Sequence, residues 1–152
     1  MKNQYLSFVF VSILFVFISS CEKDKDPAPV PKTKTELITT GSWKFQSASS
    51  SLLGDISTNP LLACYVDNIM TFASNLTGTI NEGALSCTTP APATFTWAFQ
   101  SDETILHLSF TLFNGGSPDF TIGSLTETNL VLSQLVTFPG YPAQTITVTF
   151  KH

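Results

Sequence analysis

The sequence predicts an all-β domain over residues 36–152, an eight-stranded antiparallel up-and-down barrel preceded by a short helix. Threonine or aromatic residues, which suit a pleated and half-buried surface, occur in seven of the eight segments of alternating polarity. These segments follow one another across short turns that contain glycine, proline, asparagine and serine. A sequential meander leaves exposed edges unless it closes on itself, so a barrel is favoured over an open sandwich.

Each element follows from its local pattern. A helix is expected over residues 35–39, because the chain turns at Gly41. The sharpest alternation lies in residues 94–100, where every second side chain is aromatic. Residues 49–60 are irregular and have room for one turn of helix. The predicted strands are 42–48, 67–73, 76–81, 94–100, 103–113, 119–125, 129–136 and 144–151.

Residues 1–20 have the layout of a secretory signal peptide. Lys2 precedes an apolar run at residues 5–18, and two small serines follow that run. The run is shorter than the roughly 20 apolar residues that span a bilayer, so an uncleaved membrane anchor is the weaker interpretation.

The motif Ile-Ser-Ser-Cys at residues 18–21 resembles the lipobox of bacterial lipoproteins. The resemblance implies cleavage before Cys21 and attachment of fatty acids such as palmitate there, which would place the protein on the outer membrane or cell surface. Each buried methylene contributes about 0.8 kcal/mol, so several acyl chains hold a protein firmly on a membrane. The alternative is an ordinary signal peptide followed by an incidental cysteine.

Residues 21–35 are predicted to be an extended tether. Charged residues at 22–26 and the prolines that follow cannot bury a core. The acidic and lysine-containing start resembles the surface-export signal of lipoproteins from Bacteroidetes-type Gram-negative bacteria. Solvated linker charge is an equal alternative.

Composition and motifs argue against several function classes. The net charge is −4, the pI is about 4.9 and all seven basic residues are lysine, so no nucleic-acid partner is expected. His107 is predicted to face outward from its strand, near Asp102 and Glu103 in sequence. No serine lies in a glycine-flanked nucleophile elbow. We therefore expect no catalytic residue, metal or cofactor, and a weak hydrolase is only a remote alternative.

Of the three cysteines, one belongs to the lipobox and two lie in the predicted domain. With Cys21 lipidated, Cys64 and Cys87 form an even pair in an exported chain, which predicts a disulfide. On the chain-entropy model such a bridge stabilises by about 3 kcal/mol. A metal site would need further ligands, and His107 and His152 have no spacing relation to the pair.

Several segments, in this order and spacing, resemble the lipocalin-like domain lipoproteins of Bacteroidetes-type bacteria. They are residues 35–44 with helix, glycine and tryptophan, Cys64 with 67–72, 78–84 with Cys87, Thr96-Trp97, 126–132 and 145–151. The resemblance implies a lipocalin-like barrel and, as in true lipocalins, a cup for small hydrophobic ligands. Lipocalins commonly pack an arginine of the last strand across the tryptophan. This chain has no arginine, and Lys151 is the candidate to cover Trp43.

Inward-facing residues are predicted either to line a ligand cavity or to fill the barrel, and their large size favours a packed core. These residues are Trp43, Phe45, Phe72, Phe95, Trp97, Phe99, Leu108 and Phe150. Loops 49–62 and 139–142 are the better candidates for a binding rim, since loops on rigid barrels often carry function. The sequence predicts a membrane-anchored monomer that binds a small apolar ligand or an envelope protein. The alternative is a structural envelope lipoprotein without a ligand.

Overall fold

A computed structural model describes residues 30–152, in which strands predominate. The helices are α1 (Lys34–Thr39) and a 3-10 helix at Pro60–Tyr65. The strands are β1 (Ser42–Ser50), β2 (Gly54–Asp55), β3 (Ile69–Phe72), β4 (Thr77–Asn81), β5 (Thr94–Gln100), β6 (Ile105–Leu108), β7 (Asp119–Leu125), β8 (Asn129–Val136) and β9 (Gln144–Lys151). The predicted signal peptide, Cys21 and most of the predicted tether lie outside the described residues. Neither described helix is long and apolar enough to cross a membrane.

Eight strands close into an antiparallel barrel. The hydrogen-bonded order is β1-β3-β4-β5-β6-β7-β8-β9, and β9 returns to pair with β1. β2 adds two residues beside the last two positions of β1 and takes no part in the closure. The predicted fold class, an up-and-down barrel with one short α-helix, is therefore confirmed.

Side chains fill the interior because alternate residues of each strand point inward. The Phe72 ring meets Phe95 at 5.5 Å and Trp97 at 5.6 Å between centroids, both edge to face. A cavity of about 10 Å³ lies where Phe45 and Phe150 meet the loop residues Leu112 and Phe113. That volume is about the minimum a single water needs. The ring contacts and this small volume together show a packed interior.

Helix α1 seals one end of the barrel. Its first turn is fixed by a capping box, in which the Glu36 backbone N–H donates to Thr33 Oγ1 at 3.2 Å. The Thr33 backbone N–H donates in return to the Glu36 carboxylate at 2.7 Å. Ile38 is fully buried beneath the helix, and its carbonyl accepts a hydrogen bond from Trp43 Nε1 at 2.8 Å.

The cover over Trp43 is His152, and the expectation that Lys151 would take this place is wrong. The His152 ring lies 3.9 Å from the Trp43 ring between centroids, and its Nδ1 lies 2.9 Å from the Ser42 carbonyl oxygen. Trp43 points inward at its position in β1, whereas Lys151 points outward from β9 and is exposed. The residue that follows the last strand can therefore fold over the tryptophan, and Lys151 cannot.

Strand β6 is much shorter than the predicted strand over 103–113. Glu103 lies in a turn with φ +59°, and beyond Leu108 the pairing to β5 continues only through Ser109. Leu112 and Phe113 are buried in the loop that follows, rather than on one face of a strand. The apolar run within 103–113 therefore predicts that Leu112 and Phe113 are buried, but it does not predict their backbone conformation.

Candidate binding site at the loop end of the barrel

The longer connections of the barrel meet at the end opposite α1, because alternate strands run in opposite directions. This loop end consists of residues 51–68, 82–93, 109–118 and 137–143. The other end, called here the helix end, carries α1 and the tight turns 73–76, 101–104 and 126–128. The sequence favoured loops 49–62 and 139–142 as a rim, and both belong to the loop end.

A groove of about 710 Å³ crosses the loop end. It is lined by residues 60–65, 86–89, 113–114, 138–139 and Tyr141, and none of these is charged. The walls include aromatic rings, aliphatic side chains and a few hydroxyl and amide groups. The groove is therefore suited to an apolar molecule with some polar atoms.

A smaller pocket of about 30 Å³ adjoins the groove. Four residues line both cavities: Leu61, Leu62, Phe138 and Tyr141. The remaining walls of the pocket come from Leu53, Ile56, Asn59 and Gln144. Of these four residues, Leu61 is 59% exposed and Tyr141 is 51% exposed, whereas Leu62 is buried and Phe138 is partly buried. The pocket and the groove are therefore neighbouring parts of one surface.

Local contacts hold the groove walls in place. Asn59 caps the 3-10 helix by accepting a hydrogen bond from the Leu61 N–H at 2.9 Å, with Pro60 as the first helical residue. The predicted disulfide between Cys64 and Cys87 is confirmed, with their Cα atoms 5.0 Å apart. It joins the 3-10 helix to the 82–93 loop across the groove.

The 82–93 loop is held further by carboxylates. Asp67 Oδ2 accepts the backbone N–H groups of Ala84 at 2.7 Å and Leu85 at 3.0 Å. Glu82 Oε1 accepts the Ala91 N–H at 2.7 Å. These two carboxylates therefore help to fix the backbone conformation of the 82–93 loop.

Charge is distributed unevenly between the two ends. The described lysines all lie at or towards the helix end: Lys32, Lys34, Lys44 and Lys151. Lys32 pairs with Glu127 at 2.8 Å, and Lys34 Nζ donates to the Glu103 carbonyl oxygen at 2.6 Å. Within the described residues, no lysine lies in the connections that form the loop end.

Two ionisable residues at the loop end have shifted pKa values. Burial raises the pKa of the Tyr65 hydroxyl, with a smaller contribution from Glu82. Tyr65 therefore presents a neutral ring and hydroxyl at ordinary pH. Asp55 lies on β2, where hydrogen bonds from the Ser57 hydroxyl and N–H lower its pKa.

Gln144, at the start of β9, is a site residue that the sequence interpretation missed. It is only 1% exposed, and its Oε1 accepts a hydrogen bond from Ser50 Oγ. Ser50 Oγ itself accepts the N–H groups of Leu52 and Leu53, both at 3.1 Å, so its own hydrogen must go to Gln144. This fixes the amide orientation and leaves Nε2 buried without an acceptor among the described residues.

The sequence signal for Gln144 is an amide at an inward position of a strand whose other inward residues are apolar. Ile146, Val148 and Phe150 continue that face of β9. A buried amide in such a row needs a partner or a function. That signal marks the residue but gives no hint of the pocket beside it.

The eight residues predicted as ligand or core lining all lie in or against the barrel core. Trp43, Phe72, Phe95, Trp97, Leu108 and Phe150 are buried, and Phe45 and Phe99 are half-buried. None of them lines the groove, and their role as ligand lining stays a prediction.

His107 makes a surface pair with a residue that the sequence interpretation did not name. Its Nδ1 lies 2.6 Å from Asp119 Oδ1, directly across the β6–β7 pairing, and both side chains are partly exposed. Asp102 and Glu103, its neighbours in sequence, lie in the turn before β6. Among residues 30–152 no group of three or more His, Cys, Asp and Glu side chains could hold a metal ion.

The closed barrel and the sealing helix define a small β-barrel protein with an open groove at its loop end. A family model described as a lipocalin-like domain matches residues 39–132, more than half of the chain. The chain belongs to the lipocalin-like domain family, whose members are typically binding proteins. A search of curated proteins finds no significant match.

Proposed function

We propose that the protein is a lipid-anchored binding module whose ligand site is the groove and pocket at the loop end. The observation that carries this proposal is the contrast between the packed barrel interior and the open loop end. Buried aromatic side chains pack the barrel interior and leave a cavity of about 10 Å³ beside Phe45 and Phe150, whereas the loop end has a groove of about 710 Å³ with uncharged walls. The ligand class that fits these walls is a small apolar molecule.

Titration with N-phenyl-1-naphthylamine, an uncharged apolar dye that fluoresces when it leaves water, tests the site. The Leu61→Ser/Tyr141→Ser variant removes two groove walls and should weaken dye binding about tenfold, which corresponds to roughly 1.4 kcal/mol. Leu135→Ser is the matched control, because Leu135 is 64% exposed on β8 and lines neither cavity. Equal affinity in both variants would contradict the proposed site.

The membrane anchor rests on the lipobox at residues 18–21. The described chain enters the barrel through α1, at the helix end, so a lipid on Cys21 would leave the loop end available for binding. Metabolic labelling with an alkyne-bearing palmitate analogue should mark the wild-type protein and not Cys21→Ser. Equal labelling of Cys21→Ser, or a mature chain that begins elsewhere, would exclude this anchor.

We place the protein on the outer membrane or the surface of a Bacteroidetes-type Gram-negative bacterium. The support is the acidic start of the tether, Glu22, Asp24 and Asp26. Replacement of these three residues by alanine should protect the domain from protease added to intact cells. Unchanged digestion would favour plain linker charge.

A structural envelope protein without a ligand is the second candidate, and the packed barrel interior favours it. Native mass spectrometry of protein purified from its host distinguishes the two. A copurified small molecule supports the binding module, and an empty protein that also fails to bind the dye supports the structural role.

A further inference from the structure

We infer that the loop-end site selects an uncharged apolar ligand with a hydrogen-bond acceptor at one end, and that Gln144 Nε2 binds this acceptor. The inference rests on the proposed function and adds the ligand's chemical class. It begins from Gln144, which lines the pocket and whose Nε2 is buried without an acceptor among the described residues. A buried donor without a partner is costly, so a ligand that supplies an acceptor gains that energy on binding.

The orientation of this donor is set before any ligand arrives. Ser50 Oγ takes two backbone N–H groups and donates its own hydrogen to Gln144 Oε1, so this oxygen is already engaged within the protein. The site therefore offers an N–H donor and not an acceptor. This geometry selects carbonyl, ester or ether oxygen over a ligand group that can only donate.

The pocket holds only the end of a ligand. Its volume of about 30 Å³ accommodates roughly one or two water-sized groups. Leu61 and Tyr141 line both the pocket and the groove of about 710 Å³, so the apolar remainder of the ligand can lie in the groove. The ligand that fits is an apolar body with a small polar end.

Charge excludes an ionised end group. A carboxylate in the pocket would need a cation, and none of the described lysines lies in the loops that form this end. A neutral amide does not offset the cost of burying a full charge. A cationic end group can only donate hydrogen bonds, so the Gln144 N–H donor would not bind it. The class is therefore a neutral ester, ketone or ether.

Competition against N-phenyl-1-naphthylamine tests this with methyl octanoate, octane and octanoate. Gln144→Met keeps the side-chain length and removes the Nε2 donor together with the Oε1 acceptor of Ser50. It should weaken methyl octanoate about fivefold to tenfold while octane changes less than about twofold. Wild-type protein should bind octanoate at least about tenfold more weakly than the ester. Gln134→Met is the matched control, because Gln134 is also buried with an unpaired Nε2 but lines neither cavity.

The outcomes separate this inference from the proposed function. If Gln144→Met weakens ester and octane equally, or weakens neither, the inference fails while groove binding stands. If neither the dye nor any probe binds the wild-type protein, the proposed function fails first. Infrared spectra of bound methyl octanoate carrying ¹³C at its carbonyl keep the test independent of the variant's folding. A bound carbonyl band at lower frequency than that of the same ester dissolved in hexane supports the inference. A bound band at the hexane frequency overturns it.

Discussion

Gly78 provides the space for an aromatic ring at the centre of the barrel. A Cβ atom at this position would lie 2.3 Å from Cζ of Phe95 and 2.7 Å from the carbonyl oxygen of Thr71. The ring is packed against Phe72, and the carbonyl belongs to a paired strand, so neither can move away easily. The alternation of the sequence would accept any small residue here, and only the packing requires glycine.

We expect Gly78→Ala to lower the free energy of unfolding by about 1–3 kcal/mol, as overpacking does in well-packed cores. Urea denaturation followed by circular dichroism measures the change. Gly123→Ala is the matched control, since its Cβ would first meet a flexible Val131 methyl group at 3.3 Å. A smaller loss for Gly78→Ala than for Gly123→Ala would contradict this view of the core.

His152 stabilises the helix end by covering Trp43 with its ring. We expect His152→Ala to lower the free energy of unfolding by about 1 kcal/mol, the usual contribution of such a ring pair. Fluorescence of Trp43, measured in a Trp97→Phe background, should shift to longer wavelength because the ring becomes wetter. Lys151→Ala, which changes the exposed neighbour, should alter neither quantity, and a red shift in that variant would argue against His152 as the cover.

The capping box of α1 makes this element sensitive to acid. Hydrogen bonds from the Thr33 backbone N–H and hydroxyl lower the pKa of Glu36, and Lys32 adds a smaller effect. A lowered folded-state pKa contributes stability that is complete above the ordinary glutamate pKa and is lost as the pH falls through the folded-state value. The first turn of the helix should therefore loosen on acidification.

We expect Glu36→Gln to flatten the fall of unfolding free energy with decreasing pH over this window, measured by urea titrations at successive pH values. Asp55 and Glu127, whose pKa values are also lowered by Ser57 and Lys32, account for part of the slope that remains. Glu103→Gln serves as control, because its carboxylate caps no helix. An unchanged slope in Glu36→Gln would mean that the capping box adds nothing to acid stability.

Elements with regular alternation could be predicted to the residue from the sequence. The strands at 94–100, 119–125, 129–136 and 144–151 have the predicted bounds. In the run 103–113 burial is shared between a four-residue strand and a folded loop, and hydrophobicity alone cannot separate these. The pairing of His107 with Asp119 depends on the register between β6 and β7, which no local pattern fixes.

The candidate site was less predictable than the fold. Its loops could be singled out because they interrupt the strands, but the groove exists only where several distant loops meet. The orientation of the Gln144 amide depends on its hydrogen bond with Ser50, which lies 94 positions earlier in the chain. Contacts of that separation are set by barrel closure between β1 and β9, and a single sequence does not display them.

At the scale of the whole molecule, the disulfide links folding to the proposed site. Cys64 and Cys87 are 23 positions apart, and the bridge encloses β3 and β4 while joining two walls of the groove. The Cys64→Ala/Cys87→Ala variant should lose about 3 kcal/mol of unfolding free energy, because the unfolded chain is no longer constrained. The unlinked walls should also sample more positions, so the affinity for N-phenyl-1-naphthylamine should fall.

Wild-type protein in reductant should match this variant in urea denaturation and dye titration, whereas reductant should leave the variant itself unchanged. That comparison separates loss of the bridge from side effects of the substitutions. In the variant, the order in which dye affinity and the folded sheet are lost is informative, because the barrel strands pair through their own backbone hydrogen bonds. Affinity should therefore decline at urea concentrations where far-ultraviolet circular dichroism still reports an intact sheet. Simultaneous loss of both signals would instead show that the groove walls are as stable as the barrel that carries them.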